Sequence, residues 1–244
     1  MSGSLARDLR RPPLTGSAFV RALAALADVP AAAAQDAFAQ RLSGWFDWTH
    51  AFSLSAALGD ASERSAVPAF GGQGALQADE REFARVRSAL AKSIADATAG
   101  AAAPRRGARA TAAVDQPVDF AAWRERYARC QLAMETQIVP LRRRLRSTLA
   151  DRSAALARLA ELDIVMEQVV GAQERALLAG VAVRLEPHFD ALRQASSEAG
   201  PWLDRFRQEM RGLLLAELEL RLQPVEGLLQ ACRKSFTESL TPRP

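Results

Sequence analysis

Isoleucine is almost missing from this chain: three residues in 244, with 13 valines, against 51 alanines and 31 leucines. Strand-favouring residues are scarce and good helix formers abound, which excludes a β-rich fold and puts nearly all regular structure in helices. Aromatics make up 6% of the chain, so a core must be leucine and alanine packed between helices. There are two cysteines, Cys130 and Cys232. Each falls on an apolar helical stripe, where cysteine acts as a small hydrophobe; this is no disulfide framework and suits a reducing compartment. No apolar run approaches the roughly 18 residues of a membrane helix. Arg10-Arg11 followed by the stretch Leu14 to Leu26 has the outline of a secretory signal. Pro12 and Pro13 come directly after the arginines, however, and Arg21 cuts the apolar region, so the segment reads as an amphipathic helix and the chain as cytoplasmic.

Histidine is equally scarce, with only His50 and His188. Asp47 and His50 share a helix face, but two ligands are too few for a metal, and no Glu-x-x-His pair or cysteine cluster adds the rest. No Gly-x-Ser-x-Gly or reactive-cysteine context supplies a nucleophile. Gly71-Gly72-Gln73 matches the peptidyl-tRNA hydrolysis tripeptide of release factors in three residues, but not in its surroundings. The same glycines lack the Gly-Lys-Ser/Thr ending of a phosphate loop. No catalytic residue, metal or cofactor is expected.

Lysine occurs only at Lys92 and Lys234, so the formal charge of +4 and the pI of about 9.8 come from arginine. Arginine forks suit phosphates. The densest group surrounds Arg142, Arg143 and Arg146, the candidate polyanion-binding residues. At about 100° per residue they spread around a helix whose apolar face is held by Leu141 and Leu145, and no aromatics interleave with them. Nucleic-acid association is therefore the alternative reading.

Residues 1–14 are basic, proline-bearing and read as disordered. A helical hairpin is expected over 15–58, starting near Ser17, with Phe19, Val20, Leu23 and Leu26 on one face. Within it, Trp45, Trp48 and Phe52 gather on one side of a helix while Phe46 points elsewhere. They are either the anchor of the hairpin or an aromatic binding spot for a partner. Residues 59–78 read as a loop. Asp79 with Glu82 forms a capping box opening a helix over 79–98, seamed by Phe83, Val86, Leu90, Ile94 and Ala97. Residues 99–118 read as a flexible linker.

The clearest pattern is 119–240, a long-helix bundle. Asp119 and Ser153 are the N-cap residues, Pro140 and Pro224 should kink their helices, and Pro187 should bend or end the helix that starts at Ser153. A last helix from Pro201 to Ser239 would run nearly 60 Å at about 1.5 Å per residue. Arg184-Leu185-Glu186-Pro187 echoes Arg221-Leu222-Gln223-Pro224, which suggests two kinked helices with similar local needs. The expected fold is all-α: long antiparallel helices in a bundle or coiled-coil-like array, with an N-terminal hairpin.

Several stretches carry a family resemblance. Arg41-Leu42-Ser43-Gly44-Trp45-Phe46-Asp47-Trp48-Thr49, then Ser53 to Leu58, is similar to the N-terminal signature of a proteobacterial domain-of-unknown-function family of about this length. Leu159 to Asp163 with Val165-Met166-Glu167, and Leu213 to Leu218 through Arg221-Leu222-Gln223-Pro224, extend the likeness to the middle and the end. The resemblance implies a cytoplasmic bacterial protein, and a soluble partner of an envelope-associated assembly that reaches the membrane only through that partner. The residues themselves point to a non-enzymatic helical scaffold or adaptor that binds another helical protein or itself.

Overall fold

The computed structural model describes residues 17–26, 51, 53–56, 73–99, 119–196 and 200–240, and side chains as far as residue 237. Its helices are α1 (Ala18–Leu26), α2 (Gln73–Thr98), α3 (Phe120–Ala150), α4 (Ala154–Ala179), α5 (Val181–Arg184), α6 (Glu186–Gln194) and α7 (Pro201–Leu240). Residues 51 and 53–56 are also helical, and no strand occurs among the described residues. The fold is all-α, as the composition requires.

The helix starts follow capping chemistry. Ser17, Asp119 and Ser153 each place a side-chain oxygen on an otherwise unpaired first-turn amide: Val20 at 3.3 Å, Ala121 at 3.0 Å and Leu156 at 3.2 Å. α2 departs from expectation. It begins at Gln73, six residues before Asp79, because Leu76 adds one more turn to the buried stripe of Val86, Leu90 and Ile94. Asp79 is therefore no cap; it lies inside the helix, 2% exposed, paired with Arg144 at 3.1 Å. α4 ends at Ala179 before Gly180, ahead of Pro187. The chain turns there so that Val181, Ala182 and Leu185 all enter the core. The two Arg-Leu-x-Pro segments differ in consequence: Pro187 sits in the first turn of α6, where its missing N–H costs nothing, whereas Pro224 lies within α7.

Partner residues fix the directions of the long helices. Gln131, Arg142 and Arg146 of α3 meet Leu178, Glu167 and Asp163 of α4, so those two run antiparallel. α2 runs against α7, with Glu80 on Arg233 and Arg87 on Glu219. α3 and α7, separated in sequence by three helices, run the same way: Trp123 meets Phe206 and Tyr127 meets Glu217. The core is leucine-rich along α3 and α7 and ends in an aromatic knot. There Phe189 of α6 stands 5.1 Å from Trp202 and 5.0 Å from Phe206, edge to face. No helix among the described residues is long and apolar enough to cross a membrane.

Candidate functional site

Two polar braces inside the bundle set the geometry of its surface. In the first, the Glu217 carboxylate is fully buried and accepts from Tyr127 Oη at 2.7 Å, Gln131 Nε2 at 3.0 Å and Arg221 Nε at 2.9 Å. Gln131 also donates to the Leu178 carbonyl at 2.8 Å, which ties α4 to the α3–α7 pair. Burial, then the Glu217 charge, push the Tyr127 hydroxyl well above its usual range, so it stays a neutral donor. The donors supply what a buried charge needs, and the cluster allows only one register of α3 on α7.

In the second brace, Arg142 donates to both oxygens of Asp163 at 2.8 and 2.6 Å, and Arg146 donates to the same carboxylate at 2.6 Å. Glu167 pairs with both arginines, at 3.5 and 2.6 Å. Burial works against the charged Asp163, but the hydrogen bonds and charges of Arg142 and Arg146 outweigh it and hold the carboxyl below its usual value. Two of the three candidate polyanion-binding residues are thus engaged in joining α3 to α4, while Arg143 lies exposed on another side of α3. The structure does not gather the three into one basic surface. Trp45, Trp48 and Phe52, like Asp47 and His50, lie outside the described residues.

His188 contacts Glu209 at 2.5 Å and fastens α6 to α7, with Arg205 on the same carboxylate at 2.9 Å. No three potential metal ligands gather among the described residues. Both cysteines are buried, and burial raises their thiols above the usual value, which makes them poor nucleophiles.

What the braces leave open is a groove. Ala121, Ala122 and Ala128 of α3 face Ala179 of α4 and Ala182 and Val183 of α5 across a trough of about 680 Å³. Gln131 lies at its floor, and Arg124 and Glu125 stand at its rim. Beyond the trough the same face of α3 continues. Ala121, Ala128, Leu132 and Val139 follow at steps of seven, four and seven and so share one helix face. Leu132 is 61% exposed and Val183 53%. A separate, smaller cleft of about 60 Å³ lies further along, where Val139 and Glu135 meet Gly171, Glu174 and Arg175 of α4 and Arg221 and Pro224 of α7. Ile164, seven residues before Gly171, extends the same α4 face and is 40% exposed. Exposed apolar residues are ordinary singly; here Val183 lines the trough itself and Leu132 lies one turn beyond its Ala128 on the same face of α3.

The profile of the family described as a protein of unknown function (DUF3348) matches residues 5–234. The chain belongs to this family. Nothing among curated proteins or solved structures matches it. The match spans all three stretches that carried the resemblance and both long connections between them. DUF3348 membership assigns no chemistry, so function must be argued from the groove.

The groove residues were visible in the sequence but not recognised as a group. The inner stripe of α3, Phe120 to Leu149, dominates the pattern, and Leu132 falls off it. A second, weaker stripe at heptad spacing, Ala121 to Val139, was the available signal.

Proposed function

We propose that this protein is a non-enzymatic helical adaptor in the cytoplasm, and that the groove between α3 and α4 receives a helix of a binding partner. The observation that carries this reading is a trough lined by Ala121, Ala122, Ala128, Ala179 and the half-exposed Val183, with the exposed Leu132 one turn beyond Ala128 on the same face of α3. Small residues let a second helix approach closely, and the large apolar side chains provide the area it would cover. Buried, unpaired cysteines fit a reducing compartment. The engagement of Arg142 and Arg146 with Asp163 removes support from the nucleic-acid alternative. An envelope-associated assembly remains one place for such a partner to be sought.

Affinity capture from the native cell tests this, comparing the wild-type chain with Leu132→Glu and Val183→Glu. Both positions are exposed, so the variants should fold, which circular dichroism checks. The reading expects proteins retained by the wild type and lost with both variants. Capture of nothing, or capture that both variants leave unchanged, would overturn it.

A further inference from the structure

The exposed face of α3 that borders the groove is complementary to itself, and we infer that its occupant is a second copy of this chain, docked antiparallel through α3. This rests on the groove reading above and names the partner. The exposed stripe of α3 is polarised: its N-terminal half offers Ala121 and Ala128, its C-terminal half Leu132 and Val139. Reversing a second α3 on the first, with the twofold axis at position 130, sets Leu132 of each copy opposite Ala128 of the other. The same axis sets Val139 opposite Ala121. Large side chains then meet alanines at every apolar level, the fit that close antiparallel helices require.

Charge follows the same symmetry. Arg124 and Glu135 have no ion-pair partner among the described residues. The axis that pairs the apolar levels sets Arg124 of one copy level with Thr136 of the other, one residue from Glu135 on the same flank and within an arginine's reach of it, twice per dimer. Glu125 is level with Glu135 of the other copy but lies on the opposite flank of the stripe, where Arg129 of its own helix holds it at 3.8 Å. A parallel arrangement would instead stack Leu132 on Leu132 and Arg124 on Arg124. The contact from Ala121 to Val139 is about 27 Å long, which places it at the small end of specific interfaces, so the dimer should dissociate measurably on dilution.

The test is light scattering of the full chain over a dilution series, with Arg124→Glu, Glu135→Arg and the double reversal. The wild type should show a mass about twice its 26.4 kDa, falling towards one chain on dilution. Each single reversal should weaken dimerisation about tenfold, and the double reversal should restore it, because the pair is then re-formed with its signs exchanged. Leu132→Glu should abolish the dimer while leaving the thermal melt of the monomer unchanged. A monomer at every concentration, or a dimer that these substitutions do not weaken, overturns the inference. If the chain is monomeric yet its capture of another protein is lost in Leu132→Glu, the second copy is wrong as occupant and the groove reading stands.

Discussion

Replacing Glu217 by glutamine probes the bundle where it is most demanding. The carboxylate is fully buried and carries three donors, one of them Arg221, whose side chain is itself 12% exposed. Glu217→Gln keeps the shape and removes the charge. Tyr127 can still donate to the remaining amide oxygen, but the new amide N–H groups face Gln131 and Arg221, which are also donors, and the guanidinium loses its counter-charge. Breaking a buried pair at one end costs about 3–5 kcal/mol; because Arg221 retains a little solvent, about 3 kcal/mol is expected here. Tyr127→Phe removes one hydrogen bond to a carboxylate that keeps its others, so about 1.5 kcal/mol is expected. Replacing the whole cluster by apolar residues, Glu217→Leu, Arg221→Met, Gln131→Leu and Tyr127→Phe together, should recover most of the loss, since the expense lies in the orphaned charge and donors. Urea unfolding followed by circular dichroism measures all three. A cost below about 1 kcal/mol for Glu217→Gln would refute the argument, because it would mean that the cluster is hydrated or loosely held.

Other substitutions test separate parts of the account. Asp163→Asn should cost about 2–3 kcal/mol near pH 7, less than a fully buried pair because both arginines keep Glu167 and some solvent. Asp163 titrates below its usual value, so its pairing stabilises above the unfolded carboxyl pKa of about 4 and is lost as pH falls through the folded value; the gap between wild type and Asp163→Asn should therefore close under acid, as urea midpoints from about pH 6 down to 3 will show. Phe206→Ala empties the centre of the aromatic knot and should cost about 4 kcal/mol, read from thermal or urea unfolding. Gly212 and Gly227 lie within α7 with nothing within 4 Å of where a Cβ would stand, so alanine at either should stabilise the chain by about 0.5–1 kcal/mol in the same assays.

Much of this architecture was legible in the sequence because local rules and tertiary packing agree. Asp119 and Ser153 cap the helices they were expected to cap, and the seam Phe120, Trp123, Tyr127, Cys130, Met134 is the buried face of α3. Legibility failed where packing overrode a local signal. Asp79 with Glu82 spells a capping box, yet Leu76 upstream has core to fill, so the helix runs through it and the aspartate finds Arg144 instead. Pro187 looked like the break in the fourth helix, but the chain turned earlier, at Gly180, where three apolar residues had to swing inward. The arginine group around 142 looked like a surface for phosphates because its partners, Asp163 and Glu167, lie about twenty residues away on another helix, beyond any local spacing. The groove escaped notice for a related reason: alanine carries little signal in a chain this rich in it, and only the packing of α3 against α4 and α5 brings Ala128, Ala179 and Val183 around one trough.

The central claim is that the outer face of the α3–α4 pair is where this DUF3348 protein meets its partner. The most direct measurement places a photo-cross-linking residue at position 132, on the α3 face bordering the groove, and for comparison at the exposed Gln208 of α7, in the native cell. The account predicts a discrete adduct from position 132, at the mass of two chains if the partner is a second copy, and none from position 208. No adduct at 132, or equal adducts from both positions, would contradict it.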